Sequence, residues 1–321
     1  MKVLVVSNMY PGRDPDYDYK GVFVKEQVDW LRKTPEIDVD VFIIDGHKGF
    51  FEYFSRSLVL LYKVLFGNYN VIHCHYGISA MFTLFIPFKR WGNVVLTLHG
   101  GDILVKQGKY FQVALTKRIL KKVGRVITLN DEMNIIVSNI TKKFDTLVCG
   151  VDSELFDGTF IKKNHTQILF PGRTDREVKN YPFFSEIVNA YNNAGKLCDV
   201  VVLDGFSRKE MANIMQRSSL LLMTSHSEGS PQVIKEALLS DLPVLSSNVG
   251  DVINVIGNTQ GTMVYGNLTA EQIASNIDRL INEAALTPGQ RRNRIFSLEL
   301  DQKSVIKNLI NVYKDIIRVT S

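Results

Sequence analysis

The feature that most constrains the fold is an alternation of short apolar runs with helix-like segments. Runs rich in Val, Ile and Leu occupy residues 3–7, 39–44, 71–75, 94–99 and 125–130. Amphipathic stretches such as FVKEQVDWLRK and FQVALTKRILKKV lie between them. Continuous apolar strands separated by helices are typical of a parallel sheet that is covered on both faces. The sequence therefore predicts an α/β fold.

The same alternation restarts in the second half, with apolar runs at 167–172, 199–205, 219–225 and 243–247. A chain of 321 residues exceeds the size at which one core stops growing. We therefore expect two Rossmann-like, doubly wound domains facing each other across a cleft, at residues 1–150 and 151–300. The segment 150–165 is polar and lacks periodicity, which is typical of a linker. An amphipathic helix within 301–321 closes the chain and can pack back on the first domain.

The composition is that of an ordinary globular enzyme, with 45% hydrophobic and 22% charged residues. Cys74, Cys149 and Cys198 form no C-x-x-C pair, so we expect neither a disulfide framework nor a zinc knuckle. The opening segment indicates a first strand rather than a signal peptide, and the apolar stretch 57–66 is too short to span a bilayer. These features favour a cytoplasmic protein.

The net charge of +5 belongs to the first half of the chain. Residues 1–150 hold 20 basic and 14 acidic side chains, whereas the rest holds 18 and 19. The excess is concentrated in 51–150, where 13 basic side chains meet 5 acidic ones and aromatic residues lie among them in FFEYF and PFKRW. One interpretation is a solvated basic surface; the other is a surface that docks on anionic lipid at the inner face of a membrane. A nucleic-acid interface is not favoured, because no recognised binding motif accompanies the charge.

The densest chemical signal is the segment HSEGSPQVIKEALLSDLPVLSS, in which a strand ends and a helix begins near Pro231. The backbone N–H groups of Gly229 and Ser230, together with the helix dipole, indicate an anion site. Glu228 and Glu236 bracket this element, and their spacing lets both carboxylates face one cleft. Carboxylates in such positions suit the hydroxyl groups of a ribose or a hexose. The alternative is a surface helix with two solvated glutamates.

A second group of charges follows the strand at 167–172, in the loop GRTDREVKN. Arg173 and Lys179 can both neutralise a departing diphosphate, a task that other folds give to Mg²⁺. Arg176 is a plausible substitute for either. The alternative is that these are ordinary loop cations.

The first half offers two further candidates. His99 ends a strand and precedes GGD, which predicts an imidazole exposed at a strand tip, with a buried structural histidine as the alternative. Gly21 opens a helix after a long loop and would allow a ligand to approach the backbone closely. His73 and His75 flank Cys74. Strand alternation places the two histidines on one face and Cys74 on the other, so the three cannot bind one ion and a metal site is not favoured. GxGxxG and Walker motifs are missing, which disfavours dinucleotide and NTPase functions.

Together these motifs resemble the retaining glycosyltransferases of the GT-B fold, of the family 4 or glycosyl transferases group 1 type. The family's E-x7-E pattern is matched by Glu228 and Glu236, and its Arg-Lys element by Arg173 and Lys179. The chain also has the family's histidine-glycine after a first-domain strand, at His99, and an NGVD-like crossover, here CGVD at 149–152.

The resemblance implies roles for these residues. Glu236 would hold the donor ribose, Glu228 and the following amides of Gly229 and Ser230 the donor hexose, and Arg173 with Lys179 the diphosphate. In the first domain, Gly21 would lie over the diphosphate and His99 would contact the transferring sugar. His99, Glu228, Arg173 and Lys179 would thus form the catalytic set.

The implied reaction moves a hexose from a UDP- or GDP-sugar to a saccharide or lipid-linked saccharide in cell-surface polysaccharide synthesis, with retention and without a metal or other cofactor. The first domain would bind the acceptor and the second the nucleotide sugar. One alternative is a non-catalytic GT-B protein that binds a membrane or another transferase; another is a nucleotide-sugar epimerase. The sequence departs from the family where Asn180 and Asp241 replace common glycines, and its second domain looks short.

Overall fold

The computed structural model describes residues 1–13, 21–86, 91–104 and 110–320. The chain forms two units: the first contains residues 1–150 and 303–321, and the second contains residues 151–302. Each unit is built on one parallel sheet, so the predicted pair of Rossmann-like α/β domains is confirmed.

The sheet of the first unit has six parallel strands in the order β2-β1-β3-β4-β5-β6. The strands are β1 (Lys2–Ser7), β2 (Asp38–Ile43), β3 (Val71–His75), β4 (Trp91–Thr97), β5 (Val123–Thr128) and β6 (Phe144–Thr146). The helices are α1 (Val22–Arg32), α2 (Phe50–Phe66), α3 (Tyr110–Leu120), α4 (Asp131–Ser138) and α12 (Gln302–Thr320). Short 3₁₀ segments cover Gly46–Lys48 and Gly77–Leu84.

Both faces of this first sheet are covered, as the continuous apolar strands predict. In β1, Val3 and Val5 point to a core that α1 and α12 complete. Leu4 and Val6 point to the opposite core, which receives side chains from α2, α3 and α4. The final helix α12 therefore belongs to the first unit, where Leu309 and Tyr313 are fully buried.

The sheet of the second unit has five parallel strands in the order β11-β10-β9-β7-β8. The strands are β7 (Thr166–Phe170), β8 (Cys198–Val202), β9 (Leu220–Met223), β10 (Val244–Ser247) and β11 (Thr262–Tyr265). The helices are α5 (Tyr181–Asn193), α6 (Arg208–Arg217), α7 (Gln232–Leu239), α8 (Val252–Ile256), α9 (Ala270–Ala274), α10 (Ile277–Leu286) and α11 (Gln290–Ser297). Helices alternate with strands as far as β11, and α9, α10 and α11 then follow one another.

The prediction of a linker over 150–165 is wrong for its first part. Val151, Phe156 and Phe160 are buried in the core of the second unit. Val151 also forms a β-bridge to Asp301, which ties the start of this unit to its end. The segment has no helix or strand, so its apolar residues follow no period and sequence pattern alone does not reveal their burial.

Two observations complete the fold. No helix in the described part of the chain has the length and apolar character needed to cross a membrane. Of the aromatic and basic motif PFKRW, residues 87–90 lie outside the described residues, as do the lysines at 106 and 109.

Candidate functional site

The winding of the second sheet reverses beside β7, which lies between β9 and β8. In open α/β sheets, ligands bind outside the carboxyl ends of the strands at such a switch point. The loops that follow β7 and β9 meet there: Thr224 Oγ1 donates to the carbonyls of Lys179 and Asn180, both at 3.0 Å. The His226 N–H donates to the Val178 carbonyl at 2.9 Å. The fold thus brings the predicted cationic loop next to the predicted glutamate turn.

Two predicted residues are in direct contact at this point. Lys179 Nζ lies 2.7 Å from Glu228 Oε1, and both side chains are largely buried. Ser225 Oγ donates to the same carboxylate oxygen at 2.9 Å. The backbone at Gly172 runs alongside Lys179, where an added Cβ would lie 3.4 Å from Lys179 Cε. Lys179 is therefore a pre-positioned cation whose present partner is a carboxylate.

The sequence predicts that Arg173 and Lys179 bind the same anion, but in the structure Arg173 has a different partner. Its guanidinium makes a two-pronged ion pair with Asp175, with Nε to Oδ1 at 2.8 Å and a second bond to Oδ2. Asp175 is exposed to solvent, and this arginine lowers the pKa of the Asp175 carboxyl. Arg176 is exposed. Because exposed ion pairs contribute little stability, Arg173 can exchange Asp175 for another anion at small cost.

The start of α7 is held by a buried polar network that sequence reasoning missed. Ser230 Oγ donates to Asp251 Oδ2 at 2.6 Å, and Lys235 Nζ lies 3.2 Å from Ser230 Oγ. Lys235 is only 1% exposed, and burial raises the pKa of Asp251 while Lys235 opposes the rise. The backbone of Gly250 packs against that of Gly229, where an added Cβ would lie 2.4 Å from the Gly229 oxygen. The one sequence signal is a lysine inside the apolar run VIKEALL.

Glu236 lies one turn into α7 and is only 2% exposed. Its Oε1 is 2.6 Å from Nη1 of Arg208, whose guanidinium lies 4.8 Å from the ring centre of Phe156. Arg208 is the first residue of α6, behind a capping box formed by Ser207 and Glu210. The two predicted glutamates are thus held by different cations, Glu228 by Lys179 and Glu236 by Arg208. Sequence reasoning did not single out Arg208, although the S-x-x-E pattern marks the helix start beside it.

In the first unit, Gly21 is the residue before α1 and has a φ of 80°, in the left-handed region that favours glycine. An added Cβ would lie 2.3 Å from the Met9 carbonyl oxygen. The chain's own packing therefore requires a glycine here, a reason that the prediction of close ligand approach did not include. Phe23, near the start of the same helix, has its ring 4.9 Å from that of His99.

His99 follows β4, and its ring makes contacts with neighbouring side chains that the predicted exposed imidazole would not make. His99 Nε2 is 3.1 Å from His75 Nδ1. The His99 N–H donates to buried Asp102 at 3.0 Å, and the other oxygen of Asp102 accepts from the Gly77 N–H at 2.9 Å. Burial, assisted by His75, lowers the pKa of His99 well below its usual value, and burial raises the pKa of Asp102 to about 6. His99 is therefore a neutral hydrogen-bonding group near pH 7.

The neighbouring histidines form a buried row. His73 shares hydrogen bonds with Thr97 Oγ1 at 2.7 Å and with Tyr313 of α12 at 2.6 Å. Its ring is 4.4 Å from that of His75, while Cys74 packs in the core on the other face of the sheet. The predicted alternation is thus confirmed. Among the described residues, no group of three His, Cys, Asp or Glu side chains is arranged to hold a metal ion.

Known proteins are similar to parts of this chain. Residues 185–295, which contain Glu228 and Glu236, match the family model Glycosyl transferases group 1. An uncharacterized glycosyltransferase of Methanocaldococcus jannaschii is 22% identical over 270 residues, which cover 77% of this chain and 76% of the relative.

Solved structures resemble the whole chain. Sucrose-phosphate synthase from Thermosynechococcus elongatus aligns with a TM-score of 0.74 at 13% identity, over 99% of this chain and 100% of that one. Anabaena HepE in complex with UDP and glucose aligns with a TM-score of 0.69 at 11% identity, over 98% of this chain and 100% of that one. The fold is GT-B. The candidate residues of the second unit lie at the switch point of its sheet. They are within or next to the segment that matches the family model.

Proposed function

We propose that this protein is a retaining, family 4 type glycosyltransferase that moves a hexose from a nucleotide-diphosphate sugar to a saccharide or lipid-linked saccharide. The observation that carries the proposal is the pair Glu228 and Glu236, each held by its own cation at the start of α7. The pair lies inside the segment that matches Glycosyl transferases group 1, and the adjacent loops meet at the switch point of the second sheet. The contrasting hypothesis is a non-catalytic partner with the same fold.

In this proposal the ion pairs are the resting form of the donor site. A diphosphate carries more charge than one carboxylate, so it would draw Lys179 from Glu228 and Arg173 from the exposed Asp175. Glu228, still bound by Ser225, would then accept hydrogen bonds from the hexose hydroxyls, with the amides of Gly229 and Ser230 beside it. Buried Glu236 would hold the ribose. With the two cations Arg173 and Lys179 on the leaving group, the reaction would need no metal.

The first unit supplies the proposed acceptor side. His99 would contact the transferring sugar, and because burial keeps its imidazole neutral it can do so as a hydrogen-bonding group without adding charge. Gly21 would let the backbone before α1 lie over the diphosphate. We propose a UDP- or GDP-hexose as the donor and a role in cell-surface polysaccharide synthesis. The protein would act in the cytoplasm, at the inner face of a membrane.

The proposal is tested by release of nucleoside diphosphate from UDP- and GDP-hexoses, with a mixture of membrane lipids and oligosaccharides as acceptor. Glu236→Ala and Arg173→Ala should each lower turnover by about 10²-fold or more, because each removes a group that holds the donor. Glu271→Ala, at an exposed position on α9, is the matched control and should keep wild-type turnover. Thermal melts show whether each variant is folded. Full activity in both site variants would refute the proposal, and nucleotide binding without turnover in the wild type would favour the non-catalytic partner.

A further inference from the structure

Helix α2 of the first unit is apolar on the side that faces away from the core. Its inner side buries Tyr53 and Leu60 against the sheet. On the outside, Phe51 is 87% exposed, and Tyr62 and Phe66 are each 68% exposed. The solvent-facing side of a surface helix normally carries charged and polar side chains. The outer side of α2 therefore lacks the surroundings that its side chains favour.

The start of α3 extends this surface. The exposed rings of Phe50 and Phe111 lie edge to face with centres 6.2 Å apart. Phe54, also exposed, contacts Phe85 with ring centres 5.5 Å apart. We call this surface the aromatic face: Phe51, Phe54, Leu58, Tyr62 and Phe66 of α2, with Phe111 of α3. Side chains from two helices thus form one apolar surface, unlike the single exposed hydrophobic residues that occur on any protein.

Helix α3, which contributes Phe111 to the aromatic face, carries exposed cations. Helix α3 contains no acidic residue, and its Lys117 and Arg118, with Lys121 just after its end, are exposed. Helical spacing places Arg118 on the side of α3 that carries Phe111. The one acidic residue of α2, Glu52, lies 3.8 Å from Arg56 and is neutralised by it. Aromatic side chains bordered by lysine and arginine are the pattern of helices that lie in the membrane interface.

We propose that the aromatic face docks on an anionic lipid bilayer, with α2 lying flat in the headgroup region. A helix of 17 residues is about 25 Å long, so α2 would place its aromatic rings along one plane of the membrane surface. A second copy of this chain fits less well, because a two-fold interface brings each patch onto itself and would oppose the cations of α3. Anionic headgroups complement those cations instead.

This inference deepens the membrane association included in the proposed function, but it rests on the surface of the first unit alone. Its test therefore uses lipid binding and not transferase activity. Nucleotide binding by the second unit, measured on the same variants, separates failure of this inference from failure of the proposed function.

The experiment is co-sedimentation with phosphatidylcholine vesicles, with and without phosphatidylglycerol. The triple variant Phe51→Ser, Leu58→Ser, Tyr62→Ser should bind vesicles with an affinity at least roughly tenfold lower, because burial of apolar side chains drives the insertion. The triple variant Lys117→Gln, Arg118→Gln, Lys121→Gln should lose the preference for phosphatidylglycerol. The matched control Ile161→Ser, Leu197→Ser, Leu286→Ser removes equally exposed apolar side chains of the second unit and should bind like the wild type.

Three results would overturn the inference. The first is a wild-type protein that stays in the supernatant with every vesicle. The second is an aromatic-face variant that binds as well as the wild type. The third is a wild-type protein that is a dimer by analytical ultracentrifugation and does not bind vesicles, while the aromatic-face variant is a monomer. Circular dichroism of that variant checks that it is folded, and a more conservative Phe51→Ser, Tyr62→Ser variant replaces it if it is not.

Discussion

Asn180 and Asp241 are the positions at which the resemblance to the family leads us to expect glycine, and the backbone at both explains which residues fit there. Their φ angles are 53° and 56°, in the left-handed region. Asn and Asp are the residues other than glycine that tolerate this region best. The Asp241 carboxylate also makes buried contacts. It is fully buried, its Oδ1 lies 3.0 Å from Arg291, and its Oδ2 accepts from the Gly289 N–H at 2.6 Å. The departure at Asp241 is therefore compensated by a buried ion pair.

This pair leads to a prediction about stability. Asp241→Asn should lower the free energy of unfolding by about 3 kcal/mol, because it leaves the fully buried Arg291 without its carboxylate. Asn180→Gly, at the other left-handed position, should change it by less than about 1 kcal/mol in either direction. Equilibrium urea unfolding measures both. Equal, small effects of the two substitutions would contradict the role given to the Asp241 carboxylate.

The candidate site was predictable from sequence only in part at this scale. Glu228, Glu236 and Lys179 follow from motifs because each lies at the end of a strand or the start of a helix. The partner of Glu236 does not follow from a motif: Arg208 is 28 positions from Glu236, and only the fold brings the two together. The ion pair between Lys179 and Glu228 likewise joins two separate loops, so the motifs that contain these residues do not show it.

At the scale of elements, the strands that the sequence predicts are those that contain an unbroken apolar run. The strands that pattern reasoning missed are β6 and β11, each at an edge of its sheet. They have three and four residues, too few to show a period, and they are only partly buried. The helix α7 begins at Gln232, next to the predicted start at Pro231. Edge position alone does not hide a strand, because β2 and β8 are also edge strands and their apolar runs predicted them.

The buried histidine row links β3, β4 and α12 and should make the first unit sensitive to acid. Burial lowers the pKa of His75 to about 3, whereas an unfolded histidine titrates near about 6.5. Between these values the unfolded chain holds a proton that the folded chain does not. The free energy of unfolding therefore falls as the pH falls, by about 1.4 kcal/mol per pH unit for one histidine. Asp102, whose pKa is raised to about 6, acts in the opposite direction and offsets part of this slope.

The contribution of one histidine can be isolated with His75→Asn. Its plot of unfolding free energy against pH should be flatter than that of the wild type by about 1.4 kcal/mol per unit between pH of about 4 and 6, because the unfolded-state proton is gone. His47→Asn, at an exposed histidine, is the control and should keep the wild-type slope. Urea unfolding at several pH values gives the slopes. An unchanged slope for His75→Asn would show that this histidine is not kept neutral by burial.

At the scale of the whole molecule, the two units divide the chemistry. The first unit contains the positive charge excess, the aromatic face and His99, and the second contains both glutamates and the cations that hold them. This division follows from the two domains of the GT-B fold, but the fold does not identify the substrates. The proposed transferase activity therefore rests on the second unit, where the family match and the switch point coincide.

The central claim is a metal-free nucleotide-sugar site, and a thermal-shift titration tests it most directly. UDP, GDP, ADP and the common UDP- and GDP-hexoses are added with and without EDTA, to the wild type and to Glu236→Ala. A ligand that binds only the folded state raises the melting temperature. We expect UDP or GDP, with its sugars, to shift the wild type, EDTA to leave the shift unchanged, and Glu236→Ala to lose it. No shift of the wild type with any of these ligands, or a shift that EDTA abolishes, would contradict the account.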